Sequence, residues 1–214
     1  MPENQQNAAE ESFSAKAFFF DLLDILETAI LTVFVFLMLF AFVLRPVTVD
    51  GSSMNPTLYN EDKLLILTPL RFCNNGDIVI IDDQECGRFS DYEQEKVYRN
   101  PGLGYVIVKR VIAREGQVID IDFGSGVVTV DGTALDEPYI KEVTSRNDGA
   151  FVYPMTVPEG YIFVMGDNRN GSTDSRNPSV ALVPTEQIIG TVFFRYDRND
   201  DLCMKWSEKF AFLL

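Results

Sequence analysis

The strongest constraint on this chain is the stretch from residue 28 to residue 44, which carries no charge and is almost wholly apolar. As an α-helix it would rise about 25 Å, close to the lower limit for crossing the hydrocarbon of a bilayer. A helix that is apolar on every side must be surrounded by lipid or by protein interior. We therefore expect a membrane anchor; the alternatives are a buried core helix and a cleavable signal peptide.

The flanking residues favour an anchor that is retained. Asp21, Asp24 and Glu27 recur at every third position among apolar residues, which predicts an amphipathic start to the helix at a membrane interface. The region before it is acidic instead of basic, and no small-x-small cleavage site follows, so a signal peptide is disfavoured. We expect residues 1–16 to form a disordered tail and residues 17–44 to form the anchor. The few flanking basic residues leave its orientation open.

The composition removes several classes of function. With 32 acidic and 18 basic residues the net charge is −14, which argues against nucleic-acid binding and requires any contact with the lipid bilayer to be apolar. Histidine is absent, so a Ser-His-Asp triad, a Cys-His pair and a His-ligated metal are excluded. The three cysteines lack metal-binding spacing, and we expect no metal and no cofactor. Unpaired thiols are favoured over the alternative, a disulfide between Cys73 and Cys86.

After the anchor the sequence predicts strands separated by turns, with no long helix. The predicted strands cover residues 63–68, 78–81, 105–113, 117–122, 126–130, 161–165 and 190–196. We therefore expect a mainly β fold, in which an antiparallel sheet or barrel-like ectodomain over residues 45–214 follows one transmembrane helix. Residues 82–100 are expected to be an exposed excursion, and residues 118–160 a small β subdomain. Residues 206–214 are too few to span a membrane and are expected to lie on one or to pack.

The first candidate for chemistry is a serine close to the end of the anchor. Residues 47–50 alternate between apolar and polar and predict a short strand, which Gly51, Ser52 and Ser53 then interrupt. A serine on a tight turn after a strand is a common setting for a nucleophile. The same composition is also ordinary for a turn.

The second candidate is a lysine within the predicted strand 105–113. Alternation places Lys109 on one face and Arg110 on the other, each among apolar neighbours. Burial disfavours an ammonium ion and lowers its pKa, and a neutral lysine can take a proton from a serine as histidine does elsewhere. The alternative is that the amine of Lys109 reaches water and only its stem is covered.

The third candidate is the polar loop of residues 166–176, which follows a predicted strand. Its two aspartates, two arginines and several hydroxyl groups are consistent with a solvated loop held by turns and ion pairs. If the loop is packed instead, all of these groups must be hydrogen-bonded.

Four sequence boxes occur in order behind the predicted anchor. They are Gly51-x-Ser53-Met54-x-Pro56-Thr57-Leu58, Gly76-Asp77-Ile78-Val79, Lys109-Arg110-Val111, and Gly166-Asp167-Asn168-Arg169 with Ser172, Asp174, Ser175 and Arg176. Together they cover about a quarter of the chain and resemble the boxes of bacterial type I signal peptidases, the membrane-anchored Ser-Lys proteases of preprotein export. The single anchor and compact ectodomain resemble the short Gram-positive form.

The resemblance implies a role for individual residues. Ser53 would be the nucleophile and one oxyanion donor through its backbone N–H, Lys109 the general base, and Ser172 the residue that orients the lysine amine. Val49, Asp50 and Met54 would line the substrate cleft. The residues that brace the site would be Asp167, Arg169, Asp174 and Arg176, with an ion pair between the last two.

The resemblance also implies partners and a location. The substrates would be exported preproteins, cut after small residues in an A-x-A pattern at the outer face of the cytoplasmic membrane, with the tail of the enzyme in the cytoplasm. One departure matters: some members carry a serine as second oxyanion donor two residues before the nucleophile, where this chain has Gly51. Self-cleaving repressors are similar Ser-Lys enzymes, but they carry a DNA-binding domain. A non-enzymatic anchored β-domain for binding or adhesion is the alternative from a different class.

Overall fold

The computed structural model describes residues 15–68, 73–90, 94, 96–198 and 210–213. The chain divides into two compact units between Ala41 and Phe42. Residues 1–14 of the predicted tail lie outside the described residues, and so does Cys203. Cys73 and Cys86 are both buried free thiols, so the alternative of a disulfide between them is not realised.

The first unit contains one long helix, α1, which spans Ala15–Phe42. Its segment Ala17–Phe42 is long and apolar enough to cross a membrane, and none of it is buried within the protein. The alternative of a buried core helix is therefore wrong. The helix ends two residues before the predicted boundary because Leu44 already belongs to the first strand, and the proline at position 46 could not supply a helical N–H.

The largest sheet of the second unit, within the described residues, is antiparallel and has eight strands. Its strands are β1 Leu44–Thr48, β2 Lys63–Leu67, β3 Ile78–Asp82, β6 Val106–Arg114, β11 Tyr161–Met165, β12 Val183–Pro184, β13 Ile188–Asp197 and β14 Ala211–Phe212. They pair in the order β1-β2-β13-β3-β6-β11-β12, and β14 pairs with β13. This sheet behind one apolar helix confirms the predicted fold class.

A second sheet lies within residues 118–160. It consists of β7 Val118–Asp122, β8 Val127–Val130, β9 Thr133–Ala134 and β10 Met155–Thr156, in the order β10-β7-β8-β9. The predicted hairpin is confirmed, since β7 and β8 pair antiparallel. Ile119 and Val128 pack in one apolar cluster with Phe163 of β11, so this sheet shares its core with the larger one.

The expectation for residues 82–100 was wrong. These residues form a hairpin of β4 Glu85–Phe89 and β5 Val97–Pro101. Cys86 is fully buried, and Gly87 pairs with Leu182 through hydrogen bonds of 2.7 and 3.1 Å. A Cβ on Gly87 would lie 2.6 Å from the ring of Tyr161, so only glycine allows this contact. Among the charged residues that the structure describes there, Glu85 and Arg99 are exposed and form an ion pair, whereas residues 91, 93 and 95 lie outside the described residues.

The C-terminal stretch is partly described. Residues 206–209 lie outside the described residues, and β14 adds to the edge of the sheet. The described part pairs with β13, and Phe212 is largely exposed, so packing and contact with a membrane both stay open.

Candidate active site

The turn that carries Ser53 is fixed on both sides. Before it, Val49 exchanges hydrogen bonds with Glu61 and Asp62, at 2.8 and 2.9 Å. Gly51 adopts a φ of +98°, which favours glycine, and donates its N–H to Oδ1 of Asn60 at 2.8 Å. After the turn, Leu58 donates its N–H to the carbonyl of Met54 at 2.9 Å. The serine is therefore held by backbone bonds that do not involve its own hydroxyl.

Lys109 lies in the middle of β6, where it pairs opposite Val79 of β3. Only 4% of its surface is exposed. Its Nζ lies 2.9 Å from Oγ of Ser53 and donates to the carbonyl of Val108 at 2.9 Å. Two residues that are far apart in sequence are thus brought within hydrogen-bonding distance, and the amine does not reach water.

Burial lowers the pKa of Lys109 to about 8. The negative charges of Asp174, Asp83 and Asp167 act in the opposite direction and raise this pKa. The lowering by burial is larger than the raising by these charges. Near pH 8 about half of the lysine is therefore in the neutral form that can accept a proton.

The predicted hydrogen bond from Ser172 to the lysine amine is not formed. Ser172 is buried, and its hydroxyl has no hydrogen-bond partner among the residues that the structure describes. The amine contacts Ser53 and the carbonyl of Val108 instead. Ser172 nevertheless adjoins the serine turn: a Cβ on Gly166 would lie 2.3 Å from its Oγ and 2.4 Å from the carbonyl oxygen of Ser53. Glycine at position 166 is what allows the two segments to approach this closely.

The polar loop is packed rather than solvated. Asp174 and Arg176, both fully buried, form the expected ion pair through two hydrogen bonds, at 2.9 and 2.8 Å. Asp174 also accepts the N–H of Gly166 at 3.0 Å. The guanidinium of Arg176 donates in addition to the carbonyl of Arg169. Fully hydrogen-bonded buried charges of this kind fix a loop in one conformation.

The other two bracing residues find partners that the sequence did not reveal. Asp167 receives two hydrogen bonds from Arg110, at 2.8 and 2.6 Å, and one from the hydroxyl of Thr57 at 2.5 Å. Arg169 donates to both carboxylate oxygens of Glu137, at 2.9 and 2.5 Å. Because Arg110 follows Lys109 on β6, this network connects the strand of the lysine to the loop and to the segment after the serine.

A cleft of about 600 Å³ opens beside the Ser53–Lys109 pair. Residues 47–53 form one wall, and residues 103 and 105–109 form the other. Val49 and Asp50 line the cleft as expected, whereas Met54 does not. Met54 is 1% exposed and packs with Leu58 in the core, since the turn directs its side chain inward.

Both walls of the cleft present free strand edges. β1 is the first strand of the sheet, and within the described residues its outer side has no partner strand. On β6, residues 106–109 pair with β3 on one side only, because β11 pairs with residues 110–114. An extended peptide placed in the cleft could therefore bind to backbone groups on both sides.

Sequence reasoning missed Asp83 altogether. It is fully buried, and its carboxylate accepts the N–H of Leu103 at 3.0 Å, which holds one wall of the cleft. It had been placed in a predicted exposed excursion. Arg110 and Glu137 were missed as well. The alternation that places Lys109 among apolar neighbours does the same for Arg110, and a buried arginine needs an acidic partner.

The chain is similar in sequence to known proteins. The sequence profile of the signal peptidase family, peptidase S26, matches residues 22–197. Signal peptidase I of Bacillus licheniformis is 31% identical over 188 residues, which cover 82% of this chain and 90% of that protein. Signal peptidase I T of Bacillus subtilis (strain 168) is 30% identical over 183 residues, covering 80% of this chain and 84% of that protein.

A solved structure of a signal peptidase I from Enterococcus faecalis V583 aligns with a TM-score of 0.41 and 21% identity. The alignment covers 56% of this chain and 96% of that one.

Proposed function

Because the chain belongs to the signal peptidase family, peptidase S26, we propose that it removes signal peptides from exported preproteins by Ser-Lys chemistry. The observation that carries the proposal is the 2.9 Å separation between Oγ of Ser53 and the buried amine of Lys109. Peptidase activity agrees with the curated relatives, which are signal peptidases. The adhesion or binding module considered from the sequence is not favoured.

The proposed reaction is hydrolysis of one peptide bond through an acyl-enzyme. Neutral Lys109 takes the hydroxyl proton of Ser53 while Oγ bonds to the scissile carbonyl carbon, whose oxygen becomes an oxyanion. The lysine then gives that proton to the leaving amine as the C–N bond breaks. In the second half, water loses a proton to the same amine and attacks the ester, which releases the signal peptide and restores the Ser53 hydroxyl.

The walls of the cleft suit an extended substrate. A peptide strand lying between residues 47–53 and 105–109 would point alternate side chains into the cleft. The apolar residues there include Val49, Leu64 and Val108. We propose that they limit the first and third side chains before the cut to small ones.

The short connection to the anchor supports the proposed location. Ser53 follows Arg45 by eight positions, so at about 3.3 Å per residue the serine stays within about 26 Å of Arg45, which lies just after the anchor. Signal peptides present their cleavage sites close to the membrane. We propose that the catalytic unit lies outside the cytoplasm and the N-terminus inside.

The test is processing of a preprotein whose signal ends in A-x-A by the detergent-solubilised full chain. Wild type is expected to release the mature protein. Ser53→Ala and Lys109→Ala are expected to lose at least 1,000-fold in kcat/KM, since each removes one member of the reacting pair. The matched control is Ser52→Ala, the neighbouring hydroxyl, which is expected to keep activity within about threefold. Processing by the Ser53→Ala variant would refute the proposal.

A further inference from the structure

The side chain of Asn168 contacts the serine turn and has no part in the mechanism described so far. Its Nδ2 donates to the carbonyl of Ser52 at 3.1 Å, and its backbone N–H donates to the carbonyl of Ser53 at 3.0 Å. One residue of the polar loop therefore holds two consecutive carbonyl groups of the turn. Asn168 is 7% exposed, so water does not compete freely for these bonds.

The bond to the Ser52 carbonyl has a direct effect on the oxyanion hole. The carbonyl of Ser52 and the N–H of Ser53 belong to the same peptide unit, which is planar and trans, so they point in opposite directions. Fixing the carbonyl toward Asn168 therefore fixes the N–H on the opposite side. Within the described part of the chain, that N–H donates to no protein acceptor.

The alternative donor two residues earlier is already engaged. The N–H of Gly51 is bonded to Asn60, and glycine has no hydroxyl to offer. The transition state thus depends more heavily on the N–H of Ser53 in this chain than it would if the position carried a serine.

The surroundings hold the asparagine amide in place. A Cβ on Gly171 would lie 2.6 Å from Nδ2 of Asn168, so the amide packs directly against that glycine. The carbonyl of Asn168 also accepts the N–H of Gly171 at 2.9 Å. The donor is therefore preorganised, as a group that positions an oxyanion hole must be.

We propose that Asn168 is a positioning residue that aims the Ser53 N–H at the developing oxyanion. This inference rests on the proposed serine chemistry. Asn168 would act through the serine turn and need not contact the substrate. Its replacement should therefore affect the chemical step and not peptide binding.

The test uses Asn168→Ala and the isosteric Asn168→Asp, which turns the donor into an acceptor facing the Ser52 carbonyl. Both are expected to lower kcat about 10- to 100-fold while KM stays within about threefold. For Asn168→Ala the inflection of kcat/KM near pH 8 should not move, because this variant changes no charge near Lys109. The carboxylate of Asn168→Asp adds a negative charge near Lys109 and should move the inflection to higher pH, so kcat of this variant is compared on its own high-pH plateau. The matched control is Asn170→Ala, which removes an amide that bonds Ser145, Arg146 and Val143 but not the serine turn. It is expected to keep the wild-type kcat.

Two peptide ligands separate positioning from general disruption. A substrate-like peptide aldehyde forms an adduct with Ser53 whose oxygen occupies the oxyanion hole, so the Asn168 variants should bind it about 10- to 100-fold more weakly. The same peptide with a methyl group in place of the aldehyde has no such oxygen and should bind with unchanged affinity. Equal losses for both ligands, an unchanged kcat, or a loss confined to KM would overturn the inference. Loss of wild-type cleavage, or cleavage by Ser53→Ala, would instead refute the function on which it rests.

Discussion

At the scale of single residues, the pKa of Lys109 should set the pH range of the proposed reaction. The neutral amine is the active form, and its pKa of about 8 means that protonation removes the base as the pH falls. We expect kcat/KM to rise about tenfold per pH unit below pH 7 and to level off above about pH 8.5. Initial rates of preprotein cleavage between pH 6 and 10 measure this directly, and a rate that is flat below pH 7 would contradict it.

The buried carboxylate of Asp83 allows a finer test of the same pH dependence. Its charge raises the pKa of Lys109, so Asp83→Asn is expected to move the inflection of kcat/KM to lower pH. An amide oxygen can still accept the N–H of Leu103, so the wall of the cleft should remain in place. Asp82→Asn, one residue earlier on β3, is the control and should leave the inflection where it is. A shift of the inflection to higher pH in Asp83→Asn would be the contrary result.

The same lysine lowers the stability of the fold. Its pKa is about 8 in the folded chain and about 10.5 when unfolded, so the unfolded state binds the proton more tightly and folding is penalised below pH 8. Lys109→Met is expected to abolish activity and to raise the free energy of unfolding at pH 7 by about 1–3 kcal/mol. The gain should shrink between pH 8 and 10.5 as the wild-type amine becomes neutral in both states. Urea unfolding at pH 7 and pH 10 compares the two, and a less stable variant at pH 7 would count against the argument.

Replacing the buried Ser172 should affect stability and catalysis differently. Its hydroxyl has no hydrogen-bond partner in the described structure, so Ser172→Ala loses no bond and should leave the melting temperature unchanged or slightly higher. If the hydroxyl orients the amine during turnover, as the resemblance implies, kcat should fall about tenfold or more. Kinetics and thermal melting of the same Ser172→Ala preparation test whether the hydroxyl orients the amine. A wild-type kcat would show that Ser172 has no part in the mechanism.

At the scale of elements, β6 joins the reacting lysine to the ion-pair network. Arg110 leaves the strand on the face opposite to Lys109, binds Asp167 with two bonds, and lies 4.0 Å above the ring of Tyr139. Arg110→Lys keeps the positive charge but removes the planar guanidinium group, which makes the two bonds to Asp167 and stacks on the ring of Tyr139. We expect it to lower the free energy of unfolding by about 2–4 kcal/mol and to lower kcat as well.

The control for this prediction is Arg99→Lys on β5. Arg99 is exposed and pairs with Glu85 and Glu186, so its replacement should change the free energy of unfolding by no more than about 1 kcal/mol. Chemical unfolding followed by near-UV circular dichroism measures both. Equal effects at the two positions would show that burial of the pair at β6 adds nothing.

The elements also show what the sequence could and could not predict. Alternation predicted β6 and placed Lys109 among apolar neighbours, because that signal is local. It left open whether the amine reaches water, and only the resemblance to a known family pointed to Ser53 and Lys109 as a reacting pair. The β4–β5 hairpin was missed because its exposed face carries the charges, and its burial depends on the approach of Gly87 to Leu182, which is distant in sequence. The partners of Asp167 and Arg169 were missed for the same reason: Arg110 and Glu137 lie 57 and 32 residues away in sequence, and spacing along the chain does not reveal which distant segments meet.

At the scale of the whole molecule, residues 45–214 carry 26 acidic and 17 basic residues, and this net charge of −9 should affect which substrates approach fastest. A preprotein with acidic residues after its cleavage site is repelled, and salt screens that repulsion. We expect kcat/KM for such a substrate to rise between 20 and about 300 mM salt, whereas a variant with neutral residues there should change little. Matched cleavage assays measure the two slopes, and a fall for the acidic substrate would contradict the expectation.

The helix α1 ends at Phe42 and the strand β1 begins at Leu44, so a single residue connects the anchor to a wall of the cleft. In the proposed location, so short a connection would keep the catalytic unit close to the lipid, where signal peptides also present their cleavage sites. Encounters then occur by lateral diffusion in two dimensions, and turnover follows the number of substrates per unit area. Diluting both partners with extra detergent micelles or lipid should slow cleavage even when their molar concentrations in the tube stay constant.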